Sequence, residues 1–144
     1  MMLDVESAAF APIVDSLARD PRVRLVYAYG SRARGESGPH SDIDVAVLLD
    51  RKLSWDDERE LRATLTGSSP RIDLVLLNEA PPTLRYEILT GGICLLARNP
   101  DEQAEFEITS LSRFQDFQAV RRLQQEYMSA RIEERRGSTQ RSAP

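Results

Sequence analysis

The apolar run Ile43–Leu49, in which Asp44 is the one charged residue, constrains the fold more than any other feature. A strand this apolar is expected where both faces of a sheet are covered, as in α/β proteins. Three further runs, Val23–Tyr29, Ile72–Leu77 and Ile93–Ala97, have the length and composition of strands. The sequence therefore predicts a four-stranded sheet that is flanked by helices.

The segments around these strands carry the signals of helices. Apolar residues at three- and four-residue spacing predict a first helix over about residues 5–19. Ser54 followed by acidic residues resembles a capped helix start, and Pro81-Pro82 opens a short helix that Gly91-Gly92 closes. Asn99-Pro100 provides a cap and a first-turn proline for a last, long helix. The predicted order of strands and helices is that of an α/β (α+β) fold.

Length and composition favour one globular domain over residues 1–136, followed by a disordered tail over residues 137–144. The chain has 144 residues, 41% hydrophobic and 29% charged, which is ordinary for a globular protein. Its apolar runs are too short to cross a bilayer, and its acidic N-terminus does not resemble a secretory signal. The single cysteine, Cys94, excludes an internal disulfide, so we expect a cytoplasmic protein.

Charge and histidine content exclude several function classes. The net charge of −4 argues against direct binding to nucleic acid. His40 is the only histidine, so a histidine-based metal cluster or a Ser/His/Asp triad has almost nothing to draw on. Any metal site in this chain is therefore expected to use oxygen ligands.

The first functional motif is Tyr29-Gly30-Ser31-Arg32, where a predicted strand ends in glycine. Glycine allows the backbone to approach a phosphate closely, and free amides at a helix start favour anions. The Ser31 hydroxyl and the Arg32 guanidinium add donors for the same group. Gly30, Ser31 and Arg32 are therefore candidates for nucleotide binding, although ordinary turns also contain Gly-Ser pairs.

The second motif is Asp42-Ile43-Asp44, at the start of the most apolar strand. Side chains two positions apart on a strand point to the same face, so the two carboxylates are expected to converge. Like charges repel, and a bridging cation relieves that repulsion. Oxygen ligands favour Mg²⁺ or Mn²⁺ over zinc. A structural alternative stays open, in which Asp42 caps a turn and Asp44 faces solvent.

A third carboxylate, Asp73, stands near the start of the predicted strand Ile72–Leu77. If this strand lies beside the strand that contains Asp44, Asp73 joins the two earlier aspartates. Three carboxylates suit a site with two metal ions for in-line displacement at phosphorus. In such a site Asp73 either ligates a metal or accepts the proton of the nucleophile.

Together these motifs have a fixed spacing: Gly-Ser, ten residues, Asp-x-Asp, and a further strand aspartate. With this spacing the sequence resembles the minimal nucleotidyltransferases (MNT) of the DNA polymerase β-like superfamily, from Val23 to near the end of the last helix. The resemblance implies a mixed four-stranded sheet and two Mg²⁺ ions held by Asp42, Asp44 and Asp73. It also implies transfer of a nucleoside monophosphate from a nucleoside triphosphate to a hydroxyl group.

Within that superfamily the chain looks most like the antitoxins of prokaryotic HEPN/MNT toxin–antitoxin systems. The likeness rests on Leu84–Gly92, on the strand that follows, and on the long last helix. It implies that AMP from ATP is transferred to a tyrosine of a HEPN toxin, with Asp73 helping to activate the hydroxyl. Two alternatives stay open: an enzyme that acts on a small molecule such as an aminoglycoside, and a non-catalytic protein that inhibits the toxin by contact.

Two surface features remain for the structure to decide. Trp55 precedes a predicted helix and is expected to pack against the protein rather than to stack on a base. The last helix repeats apolar residues every three or four positions, more than one domain core obviously needs. This stripe either packs on the sheet or meets a partner, and its members are Leu111, Phe114, Phe117, Val120, Leu123 and Tyr127.

Overall fold

The computed structural model describes residues 5–30, 42–68 and 71–141. The predicted order of strands and helices is confirmed. The elements are α1 (Val5–Ala18), β1 (Val23–Tyr29), β2 (Ile43–Leu49), α2 (Trp55–Ser68), β3 (Ile72–Leu76), α3 (Pro82–Gly91), β4 (Ile93–Ala97) and α4 (Pro100–Arg141). Within these described ranges, no helix is long and apolar enough to cross a membrane.

The four strands form one mixed sheet with the order β3-β2-β1-β4. Strand β1 is antiparallel to both β2 and β4, whereas β2 is parallel to β3. A parallel pair needs a crossover, and α2 provides it between β2 and β3. Strands β1 and β2 lie in the centre of this sheet and helices pack on both of its faces. This burial explains why these two strands are the most apolar.

Alternate strand residues enter two separate cores, as the two-residue period of a strand requires. One face packs against α1 and α2, where Ile13, Leu17 and Leu65 are each 1% exposed. The other face packs against α3 and α4, through the fully buried Ile88 and the partly buried Phe106. Both faces are covered by helices, so the side chains at the ends of the strands are the ones free to meet a ligand.

The predicted helix starts at Ser54 and Asn99 are confirmed, and the prediction for Trp55 is wrong. The Ser54 Oγ accepts a hydrogen bond from the Asp57 amide (3.2 Å), and the Asn99 Oδ1 accepts one from the Asp101 amide (2.8 Å). Trp55 is 84% exposed. At 100° per residue it lies a third of a turn from Leu61, which is one of the core residues of α2.

The first half of α4 lies along β1 and is tied to it by polar side chains. Arg24 makes an ion pair with Glu102 (2.8 Å), and the Tyr27 hydroxyl donates a hydrogen bond to Glu107 (2.8 Å). The helix continues to Arg141, so the described residues after Gly137 are helical where the sequence analysis places a disordered tail. The remaining residues, 142–144, lie outside the described part of the chain, and a disordered tail there stays a prediction.

The Tyr27–Glu107 hydrogen bond predicts how stability responds to alkaline pH. Burial raises the pKa of the Tyr27 hydroxyl well above its usual value, and the hydrogen bond to Glu107 raises it further. The folded state therefore holds a proton that the unfolded state releases above pH 10. This contribution is complete below that pH and is lost as pH rises.

We expect the free energy of unfolding to fall above pH 10 by up to about 1.4 kcal/mol per pH unit for this group. In Tyr27→Phe the fall should be shallower, at a cost of about 1 kcal/mol at neutral pH. Urea unfolding across the alkaline range measures both effects. Equal alkaline slopes in the two proteins would show that Tyr27 is not the responsible group.

Candidate active site

The register of the sheet brings two of the predicted aspartates together. Asp44 of β2 pairs with Asp73 of β3 in the parallel ladder, and on its other side with Tyr29 of β1. Neighbouring strands are about 4.8 Å apart, and register partners point to the same face. The three side chains therefore form a row across the end of the sheet, on the face that α3 and α4 cover.

Gly30 ends β1 beside this row and has a backbone φ of 78°, in the left-handed region. Residues with a Cβ rarely adopt this conformation, because the Cβ meets the backbone. A Cβ at this position would also overlap the Asp44 carboxylate oxygen Oδ2. The turn therefore requires glycine, and the Asp44 carboxylate lies in the space that a Cβ would take.

The other predicted residues are placed only in part. Asp42 is exposed and lies directly before β2, so its convergence with Asp44 stays a prediction. The backbone amide of Ile43 donates to the Arg71 carbonyl (2.8 Å), which joins the starts of β2 and β3. Ser31 and Arg32 lie outside the described residues, and their role in nucleotide binding stays a prediction as well.

The electrostatics around Tyr29 show how strongly negative this edge is. Burial raises the pKa of the Tyr29 hydroxyl, and the charges of Asp73, Asp44 and Glu87 raise it further. Glu87 lies on α3 and was not found from the sequence, because no spacing links that helix to the strands. Glu87 thus adds a negative charge near Tyr29 from the helix that covers this face.

The chemistry of these side chains fits a hard divalent cation. All the candidate ligands are carboxylate oxygens, the type that Mg²⁺ prefers. Two carboxylates held in register on one face repel each other, and a cation between them removes that cost. Among the described residues, no group of three or more His, Cys, Asp or Glu side chains lies close enough to hold a metal by itself. The donor type therefore fits Mg²⁺, while the complete ligand set is not assembled within this part of the chain.

One cleft in the described part of the chain lies away from this row of carboxylates. It has a volume of about 580 Å³ and opens between α1 and α2, beside the start of β1 and the end of β2. Its charged side chains include Arg19, Asp20, Arg22, Arg51 and Glu60. Within it Arg22 makes an ion pair with Asp20 at 2.7 Å, and the charged side chains of the cleft are of both signs rather than a set of convergent acids.

A mixed sheet with a glycine at the end of one strand, beside aspartates on the next two, fits the chemistry of metal-assisted phosphoryl transfer. Residues 12–101 match the family described as Polymerase beta, Nucleotidyltransferase. The chain belongs to this family. It is therefore a nucleotidyltransferase, an enzyme whose substrate is a nucleotide.

Particular relatives narrow the comparison. The chain is 33% identical over 111 residues to the protein adenylyltransferase MntA of Shewanella oneidensis, covering 73% of this chain and 77% of that protein. It is similar to a toxin–antitoxin structure with AMP-PNP (TM-score 0.71, 28% identity, 83% of this chain and 97% of the other). It is also similar to a chain in the structure of the tri-AMPylated Shewanella oneidensis HEPN toxin in complex with MNT antitoxin. The TM-score is 0.68 at 25% identity, and the match covers 87% of this chain and 99% of the other.

Proposed function

We propose that this chain is the antitoxin of a HEPN/MNT pair and that it transfers AMP from ATP to a tyrosine hydroxyl of its cognate HEPN toxin. The observation that carries the proposal is the in-register pair Asp44 and Asp73 beside Gly30. The named activity of the similar MntA protein and the AMPylated toxin in the similar complex support the same reaction. Because ATP is the donor, we place the reaction in the cytoplasm.

In this proposal the residues have the following roles. Gly30, with Ser31 and Arg32, holds the phosphates of ATP at the end of β1. Asp42, Asp44 and Asp73 would hold two Mg²⁺ ions. When bound there, the ions would neutralise charge on the phosphates and orient the reacting oxygens.

The reaction is a displacement at the α-phosphorus. The tyrosine oxygen forms a bond to that phosphorus while the bond to the β-phosphate bridging oxygen breaks, and pyrophosphate leaves. Asp73, which is exposed at the start of β3, accepts the proton of the hydroxyl. The products are AMP-tyrosine and pyrophosphate.

Labelled ATP tests the proposal directly. The chain is incubated with ATP carrying a label on the α-phosphate, Mg²⁺ and the cognate HEPN protein, and the label is located by mass spectrometry. We expect AMP on a toxin tyrosine, Mg²⁺ dependence, and loss of toxin RNase activity in step with labelling. Neutralisation by the unlabelled complex would instead support inhibition by contact, and label only on an aminoglycoside would support a small-molecule enzyme.

A further inference from the structure

The second half of α4 carries a large apolar surface that the domain does not cover. Every residue from Gln115 to Arg136 is exposed, although the first half of the same helix packs on the sheet. Six large apolar side chains in this segment are between 39% and 65% exposed. We call them the distal face, which comprises Phe117, Val120, Leu123, Tyr127, Met128 and Ile132.

The distal face is one side of an amphipathic helix. At 100° per residue its six members lie within an arc of about 180°. The opposite side is polar and includes Gln115, Arg122, Glu126, Ser129 and Glu133. In proteins most of the stability of a helix comes from packing of its apolar side, so an uncovered surface of this kind indicates a protein interface.

The composition of the arc identifies the kind of occupant. Arg131 and Arg135 lie within about 30° of its centre, whereas the nearest acids on the helix, Asp116 and Glu134, lie about 70° from it, as does Arg121. In a parallel pair of copies each arginine would meet its own counterpart, and a half-circumference is wider than a two-stranded seam needs. The arc fits a partner surface that is apolar, carries carboxylates, and is formed by more than one element.

The direction of α4 places this surface at the active-site end of the sheet. Glu102 contacts Arg24 at the start of β1, and Glu107 contacts Tyr27 further along the strand. The helix therefore runs in the same direction as β1, toward Gly30. Further along α4, the Phe114 ring stacks on the Tyr86 ring of α3, with the ring centroids 3.9 Å apart. Tyr86 is next to Glu87, whose charge acts on Tyr29.

We propose that the distal face is the surface on which the HEPN toxin docks, so that the acceptor tyrosine of the toxin is held beside Asp44 and Asp73. The inference rests on the proposed function for the identity of the partner. Docking here accounts for a helix that extends about 33 Å along the segment Gln115–Arg136 with its apolar side uncovered. In this arrangement the ends of β2 and β3 carry the reacting carboxylates, and the distal face of α4 binds the toxin.

Charge substitutions on the two sides of α4 test the proposal. Val120→Glu and Arg131→Glu place a carboxylate within the arc of the distal face, while Ser129→Glu and Arg136→Glu make the same changes of charge on the opposite side of the helix. Binding of the full chain to the HEPN protein is measured by calorimetry without ATP. We expect the distal-face variants to raise Kd at least about thirtyfold, the size of an interface hot spot, and the controls to change it less than about threefold.

Two readouts separate this proposal from the proposed function. Circular dichroism and binding of a fluorescent ATP analogue should match the wild type in all four variants. Wild-type Kd in Val120→Glu and Arg131→Glu, or a homodimer that Val120→Glu dissociates, would overturn the docking proposal. If the toxin binds through the distal face but is never labelled by ATP, docking stands and AMP transfer fails. If the toxin is labelled, and the KM for the toxin is unchanged in Val120→Glu and Arg131→Glu, AMP transfer stands and docking through the distal face fails.

Discussion

Replacing Asp44 or Asp73 by asparagine should reduce AMP transfer on the order of a thousandfold, because each substitution removes a charge that faces the phosphates. The two residues are register partners on one face of the sheet, so each loss breaks the same pair. Initial rates of label transfer at saturating Mg²⁺ measure the effect. Activity within tenfold of the wild type in either variant would remove the pair from the site.

The thermal stability of Asp73→Asn is a second, independent test of the pair. In the metal-free protein Asp73→Asn relieves a like-charge repulsion, so its melting temperature should equal or exceed that of the wild type. The wild type should gain stability when Mg²⁺ is added, and the variant should gain less. Asp50→Asn is the matched control, since Asp50 is an exposed carboxylate directly after the other end of β2. Its activity and its response to Mg²⁺ should remain those of the wild type.

The second large effect is expected at Gly30. Alanine there meets two penalties: a left-handed backbone, costing about 1–2 kcal/mol, and overlap with the Asp44 carboxylate. Relief of that overlap moves Asp44, and a displacement of about 1 Å near a reacting centre costs on the order of a hundredfold in rate. We therefore expect Gly30→Ala to lose both stability and activity, measured by urea unfolding and by label transfer.

Gly91→Ala is the control that isolates the local cause. Gly91 is the last residue of α3, and a Cβ there would have no neighbour within 4 Å. Alanine in a helix is favoured over glycine by up to about 1 kcal/mol, so this variant should be as stable as the wild type or more stable, with unchanged activity. A Gly30→Ala protein that behaved like Gly91→Ala would show that Asp44 does not need the close approach.

The sequence predicted the members of the site better than their arrangement. Strand periodicity and position were enough to propose Asp44 and Asp73, but their meeting depended on β2 and β3 being neighbours. A register slip of one residue would place one carboxylate on the opposite face, and no local pattern excludes that slip. The contribution of Glu87 is similar, because its proximity to Tyr29 follows from how α3 packs and not from any spacing along the chain.

Local patterns determined the strands, the helix starts at Ser54 and Asn99, and the candidate aspartates, because each depends on neighbours a few residues away. Tertiary structure alone decided three further matters. It paired Asp44 with Asp73, it placed the Asp44 carboxylate in the space beside Gly30, and it left the distal face of α4 uncovered. Each of these depends on contacts between segments far apart in the chain, and burial on both sides of a contact is what selects them.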